Sequence, residues 1–333
     1  MPRMNRALTL GAAATAAVLL MAGCASASAP ADTGSSTSGS SAALTTLKVA
    51  TISMDGAVPL FIAQEQGFFK EEGLTVETSM SPAFDGTLAS VMNGQSDIGF
   101  AASPPLLNAM AKKAPIQVVA QTASAGKGLE ANVNVYGDEI TSPKQLEGKT
   151  VAVTSLNDLS AVGIRLLVAQ AGGDPAKVNL VELPDAQRIG ALVEKRIDAA
   201  AMVGPTAITA RATPGIRLLV DYTDGLPQNT PLDVYFSSPT FIKEHAKQLD
   251  GFRAALDKAA TYANANPDAV RAVLATMWKD VGGVEAAKEV TLMNYNTATS
   301  AAALTALQQA LHTYGKLTQI VPTDTFYSYP VGK

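Results

Sequence analysis

The chain has 333 residues, 47% of them apolar and 16% charged, with a formal net charge of −4 at neutral pH. That length suits two domains or one large one, and the composition supports a sizeable core. A mildly acidic chain without a Lys/Arg cluster has no electrostatic footprint for nucleic acid, and one cysteine with two histidines leaves neither an internal disulfide nor a His/Cys metal cluster to build.

Arg3 and Arg6 precede an uncharged run from Ala7 to Ala22. A positive segment followed by an apolar one this short and this early is a signal peptide rather than a lasting span, so residues 1–23 are expected to be removed. Leu20-Met21-Ala22-Gly23-Cys24 resembles a bacterial lipobox, with Met21 where Leu is usual; the resemblance implies lipid attachment at Cys24. Residues 24–43 are mostly Ala, Ser, Thr and Gly, too poor in apolar surface to order, and read as a flexible tether.

From Leu47 short β-rich runs alternate with helix-length amphipathic runs. Leu47 to Ser53 reads as a strand, Pro59 to Phe69 as a helix, Leu74 to Met80 as a strand and Phe84 to Met92 as a helix. Asp97 to Ala102 is the next strand, Pro104 to Lys112 a helix and Ile116 to Gln121 a strand. Such alternation implies βαβ units and a largely parallel sheet. The order then recurs: Thr150 to Thr154, Val178 to Leu183, Asp198 to Val203 and Ile216 to Val220 as strands, with helices at Leu159 to Ala171, Gln187 to Arg196 and Pro205 to Ala212. Lys48 and Lys149, Asp97 and Asp198, and Pro104 and Pro205 each stand 101 residues apart. Two α/β lobes of similar plan follow.

After Pro231 the runs are helical: Phe241 to Leu249, Phe252 to Ala265, Asp268 to Lys279, Val284 to Asn294 and Ala301 to Tyr314, punctuated by Pro267, Gly282-Gly283 and Gly315. This tail is expected to pack onto one lobe. The expected division is residues 44–133 with 235–333 as the first lobe and its tail, and residues 134–234 as the second lobe.

Val58-Pro59-Leu60-Phe61-Ile62-Ala63-Gln64-Glu65-Gln66-Gly67-Phe68-Phe69-Lys70-Glu71-Glu72-Gly73-Leu74 resembles a signature of the nitrate/sulfonate/taurine-type solute-binding proteins, some of whose relatives bind thiamine-precursor pyrimidines. Asn93-Gly94-Gln95-Ser96-Asp97-Ile98-Gly99 resembles the next landmark of that family. The resemblance implies an α/β, two-lobed periplasmic-binding-protein-like fold of Venus-flytrap type, joined by two or three crossover strands, with ligand held between the lobes. Leu60, Phe61, Phe68 and Phe69 recur at helical spacing and are expected in the core rather than on a ligand.

In open α/β sheets ligands sit beyond the carboxyl ends of the strands, against helix N-termini. That rule selects the loops holding Ser53, Met54 and Asp55, Phe84 and Asp85, and Ser103 in the first lobe, and Thr154, Ser155, Asn157 and Pro205 in the second. Tyr222 and Tyr235, near the return crossover, are candidates for stacking on a ligand or for lobe packing. Ser155, Asn157, Asp85, Asp55 and Ser103 are equally suited to cap helices. These mouths hold Asp55, Asp85, Asp158 and Asp185 against only Lys127 and Arg188, a balance that favours an organic ligand with donors of its own, such as a heterocycle or a zwitterion like taurine, over a small inorganic anion.

The expectation is therefore a monomeric, lipid-anchored, extracytoplasmic solute-binding subunit of an ABC importer. It would have a small-molecule ligand, a permease and its ATPase as partners and no catalysis, cofactor or metal. No Walker-type loop, Gly-x-Ser-x-Gly elbow or His-Glu-x-x-His is present. The alternatives are a ligand-sensing surface lipoprotein acting on a receptor, and a pyrimidine-synthase-like enzyme. The latter is weakened by having only His245 and His312, both in the tail, and no second cysteine.

Overall fold

The computed structural model describes residues 44–125, 129 and 131–331. The signal peptide, Cys24, the tether and Lys127 lie outside the described residues. The strands are β1 (Thr45–Thr51), β2 (Leu74–Met80), β3 (Ile98–Ala102), β4 (Gln117–Ser124), β5 (Asn132–Tyr136), β6 (Thr150–Val153), β7 (Asn179–Glu182), β8 (Ala199–Met202), β9 (Ile216–Asp221) and β10 (Pro231–Ser237). They form two five-stranded sheets, ordered β2-β1-β3-β10-β4 and β7-β6-β8-β5-β9. The plan is the same in both, and in both the fourth strand is antiparallel to its neighbours: β10 against β3 and β4, β5 against β8 and β9. The sheets are thus mixed rather than largely parallel. The antiparallel strands are the two that arrive by crossover from the other sheet, and that arrival reverses their direction.

The sequence repeat has a structural basis. Asp97 Oδ2 accepts from the Lys48 amide at 2.7 Å and the Asp97 amide donates back to the Lys48 carbonyl at 2.8 Å. Asp198 makes the same reciprocal pair with Thr150, at 2.8 Å each way. The counterpart of Lys48 is Thr150, one residue beyond Lys149, so the first strand repeats at 102 residues and the third at 101. Each Asp pins the start of one parallel strand to the next.

The helices are α1 (Val58–Glu65), α2 (Phe68–Glu71), α3 (Phe84–Met92), α4 (Ser103–Ala111), α5 (Leu159–Gln170), α6 (Asp185–Val193), α7 (Gly204–Ala212), α8 (Pro239–Glu244), α9 (Ala246–Ala265), α10 (Pro267–Met277), α11 (Gly283–Glu289), α12 (Ala301–Tyr314) and α13 (Thr323–Phe326). The helix expected over Pro59 to Phe69 is two helices, because Gly67 takes φ +77°, a left-handed conformation that ends α1 and starts α2. Leu60 and Phe69 are buried in the core that α1, α2, α9 and α10 form on one face of the first sheet, and Phe61 and Phe68 pack partly buried against it. A second core lies on the opposite face, between β4, β10 and α4 and α12. The second sheet is covered by α5 on one face and by α6 and α7 on the other.

The helical tail touches both lobes rather than one. α12 packs on α5, where Arg165 donates to the Tyr314 carbonyl at 2.9 Å. α11 meets α7, where Arg211 donates to the Glu289 carbonyl at 3.0 Å. Trp278, after α10, is buried in the first lobe's core and rests its ring on Gly204 at the start of α7. The two crossovers are tied to each other: Ala125 donates to Thr230 at 2.7 Å, and Tyr222 to Ala131 at 2.8 Å.

Among the described residues no helix is long and apolar enough to cross a membrane.

Candidate functional site

The register places the carboxyl ends of the parallel strands opposite each other. β3 ends at Ala102, which pairs with Asp233 near the start of β10. β8 ends at Met202, which pairs with Asn132 at the start of β5. The crossovers run from β4 to β5 and from β9 to β10, so both sheets turn these ends toward the junction, and the helix N-termini after β3 and β8 point the same way.

On the first-lobe wall one row crosses the sheet: Ala102, Asp233, Ala123 and, through an isolated bridge, Tyr295. The 3-10 turn Asp55–Ala57 after β1 lies over it. A Cβ on Gly56 would overlap the Asp233 carboxylate, so glycine is what lets that carboxylate sit against the turn. Thr122 Oγ1, fully buried on β4, donates to the Gly56 carbonyl at 2.7 Å and holds the turn down. Asp233 is only 5% exposed, yet its carboxylate takes part in none of the hydrogen bonds or ion pairs among the described residues. Burial, and then the charge of Asp55, push its pKa up to about 7. Three hydroxyls nearby are buried and unpartnered: Ser103 Oγ at the start of α4, Tyr235 Oη two residues along β10, and Tyr295 Oη. Burial first, then the charges of Asp55 and Asp233, raise the Tyr295 phenol well above its ordinary range.

The second-lobe wall is different: the polar groups around Arg188 and Asp158 are already used, while the amides of Asn132 and Asn134 on β5 are buried and Asn134 Nδ2 has no partner. Arg188 is 1% exposed and all five of its N–H groups donate within the lobe, to Leu183 twice, Asp185, Ala201 and Thr154 Oγ1. Asp185 also accepts from Thr206. Asp158 is the N-cap of α5, accepting from Ala161 N at 3.1 Å and Ser160 Oγ at 2.6 Å. Ser155 Oγ accepts from Asn157 N at 3.2 Å. Arg188 is a structural ion, and nothing in its donor set is left for an anion.

The sequence-selected residues divide accordingly. Ser53, exposed, donates to the Met277 carbonyl at 3.2 Å and ties its loop to the tail. Met54 packs half-buried on the core, and Asp55 is half-buried at the turn. Phe84 sits edge-on to Phe236 with ring centroids 6.0 Å apart, while Asp85 is exposed. Capping follows other residues: Ala83 and Ala102 precede α3 and α4, so Asp85 and Ser103 lie inside the helices, and Asp158 rather than Ser155 or Asn157 caps α5. Pro205 opens α7, half-buried. Tyr222 is buried in the core against α5. The Tyr235 ring is fully buried between Phe100 and Phe252, at 5.0 and 5.3 Å, and is not available for stacking. Asp233, Tyr295 and Thr122 were not selected. An Asp inside the apolar run Pro231-Leu232-Asp233-Val234-Tyr235-Phe236 was the available signal for the first.

Two cavities lie elsewhere. One of about 280 Å³ is lined by Gln121, Arg253, Asp257 and Tyr329, and the other, of about 260 Å³, lies between α5 and α12. In the first, Arg253 pairs with Asp250 outside the cavity and lies over the Tyr329 ring, Asp257 accepts from Thr297, and the Tyr329 hydroxyl is buried without a partner. The row around Asp233, with its unpartnered groups, is the stronger site. Among the described residues no group of three or more His, Cys, Asp and Glu side chains could hold a metal ion.

The fold and the sequence together define the class. Residues 56–270 match the NMT1/THI5-like family, and the chain belongs to it. A protein of Brachyspira hyodysenteriae named as an ABC transporter periplasmic binding protein is 29% identical over 231 residues, 64% of this chain and 62% of that protein; the chain thus spans just under two thirds of that relative's length. The periplasmic aliphatic sulphonate binding protein SsuA of Escherichia coli superposes with a TM-score of 0.71 at 18% identity, covering 86% of this chain and 94% of the other. The alkanesulfonate-binding protein SsuA of Xanthomonas axonopodis pv. citri, bound to MOPS, gives 0.63 at 17% identity, covering 83% and 94%. The two-lobed periplasmic-binding-protein fold expected from the sequence is the fold observed.

Proposed function

We propose that the chain is the solute-binding subunit of an ABC importer, capturing a small organic ligand between its lobes and delivering it, unaltered, to a permease powered by an ATPase. The observation that carries this reading is the meeting of the two sheets' strand ends over a row that holds the buried Asp233 carboxylate and the buried, unpartnered hydroxyls of Ser103 and Tyr295. Buried polar groups without partners are costly, and they persist where a ligand supplies the partner. Family membership and the named binding proteins among its relatives support the same role. Ligand contacts are assigned to Asp55, Ser103 and Asp233 on the first wall and to the helix starts at Leu159 and Pro205 on the second.

Capture is followed by closure about the crossovers near Ala125 and Thr230, a hinge motion of the kind such lobes perform. The chain acts as a monomer on the outer face of the membrane, held there by an acyl chain on Cys24. The test is thermal unfolding of the purified protein against taurine, longer alkanesulfonates, nitrate, bicarbonate, pyrimidine vitamin precursors and aromatic acids. A ligand at 100 times its dissociation constant adds about 2.7 kcal/mol, a shift of several degrees. A folded protein silent to the whole panel would favour the receptor-sensing alternative.

A further inference from the structure

We propose that the cavity of about 280 Å³ beside the edge strand β4, outside the row between the lobes, is a second binding site, and that it takes a small zwitterion with the size and charge pattern of an amino acid. The inference goes beyond solute capture and does not depend on it.

Three observations carry it. The first is that the cavity has built walls. Two returning segments bridge to the edge of β4, Tyr327 at Val118 and Tyr295 at Ala123, and Ala120 and Gln121 line the cavity between these bridges. Gln121, 1% exposed, clamps both segments: Nε2 donates to the Ala298 carbonyl at 2.7 Å, and Oε1 accepts from the Tyr327 hydroxyl at 3.0 Å. The Asn296 amide donates to the Thr122 carbonyl at 3.2 Å, which fastens its segment to β4 between Gln121 and the row residue Ala123.

The second is a separated pair of charges. Arg253 and Asp257 stand four residues apart on α9, a spacing at which opposite charges ordinarily pair. Both line the cavity, and among the described residues they make no ion pair with each other. Arg253 turns instead to Asp250 and lies over the Tyr329 ring, 4.7 Å from its centroid, while Asp257 accepts from Thr297 Oγ1 at 2.6 Å. The wall therefore carries one cation and one anion held apart, and a ligand with both charges would answer each with a charge-assisted hydrogen bond.

The third is Tyr329, which lines the cavity and whose hydroxyl is buried without a partner. A buried hydroxyl left unpaired is costly, and a polar atom of the ligand beside it supplies the missing bond. Ala120, Ala254 and Leu256 make the rest of the wall apolar, which suits a short methylene spacer between the two charges.

The experiment is thermal unfolding of the purified protein with 4-aminobutanoate as the probe and butanoate and butylamine as its singly charged halves, each at about 5 mM, neutral pH and constant ionic strength. The zwitterion is expected to raise the midpoint by about 2 °C or more, and each half by less than half as much. Asp257→Asn keeps an oxygen for Thr297, so it should fold and yet abolish the shift, and Tyr329→Phe should reduce it. Ser103→Ala, on the cleft wall, should leave the 4-aminobutanoate shift in place. Should Asp257→Asn not fold, Tyr329→Phe and the comparison with the two halves decide. A shift that survives Asp257→Asn and falls in Ser103→Ala would put the zwitterion in the cleft, overturning the inference while leaving solute capture standing. Silence of 4-aminobutanoate in a folded protein, or an equal shift from either half, also overturns it, and the capture reading then rests on the solute panel alone.

Discussion

The Asp233 carboxylate occupies the space that a side chain on residue 56 would need. The turn after β1 and the middle of β10 are 177 residues apart in sequence and fit together only because one of them has no Cβ. Gly56→Ala must therefore displace the carboxylate or the turn, a cost of about 1–3 kcal/mol of overpacking. We expect a midpoint lowered by several degrees together with lost ligand response. Gly190→Ala, on exposed surface in α6 with open space around it, is the contrast and should gain about 0.5–1 kcal/mol. Calorimetry on both variants checks the pair; equal effects would mean that Asp233 does not rest on the turn.

Asp233 also sets a pH dependence. Its folded pKa is raised by burial and by Asp55 from 3.8 to about 7. The unfolded chain loses that proton first, so the group's contribution is fully present below about pH 4 and is lost as pH rises through about 7. Asp233→Asn removes this penalty. The variant should be more stable than the wild type at pH 8, by up to a few kcal/mol, with the gap narrowing at pH 5, while it loses ligand. Urea denaturation at the two pH values reads this; a variant equally destabilised at both would contradict it.

Arg188 organises the second lobe by joining Thr154 and Leu183, which follow β6 and β7, to Ala201 in β8 and Asp185 at the start of α6. Arg188→Leu leaves buried carbonyls without donors and is expected to cost about 3–5 kcal/mol. A variant of unchanged urea midpoint that no longer binds would instead make Arg188 a ligand contact.

Trp278, the single tryptophan, rests on Gly204 across the seam between the lobes. Its fluorescence is a built-in gauge of closure. With the strongest ligand of the panel saturating, emission should be blue and poorly quenched by acrylamide; without ligand it should shift to the red and quench more. Identical quenching in the two states would mean that the seam does not open.

Much of this was legible in the sequence. β2 and α3 were read to the residue, Leu74–Met80 and Phe84–Met92, because local alternation and helical spacing are confined to a few residues there. β5 and β10 went unassigned. All seven residues of β10 are buried, so its run carries no period of two, and its partners β3 and β4 are more than a hundred residues away. Missing β10 concealed the site's centre. Ser103 and Asp55 could be found because they follow strands that local pattern reveals. Asp233 and Tyr295 join them only through pairings that exist once the chain has crossed into the second lobe and returned. Tyr235 was noticed for its aromatic ring, but the register turns that ring into the core.

Small-angle scattering with and without the strongest ligand of the panel tests the central claim of capture between lobes most directly. A smaller radius of gyration is expected in the saturated protein, because closure brings the strand ends together over the solute. An unchanged radius with ligand demonstrably bound would contradict closure on the solute.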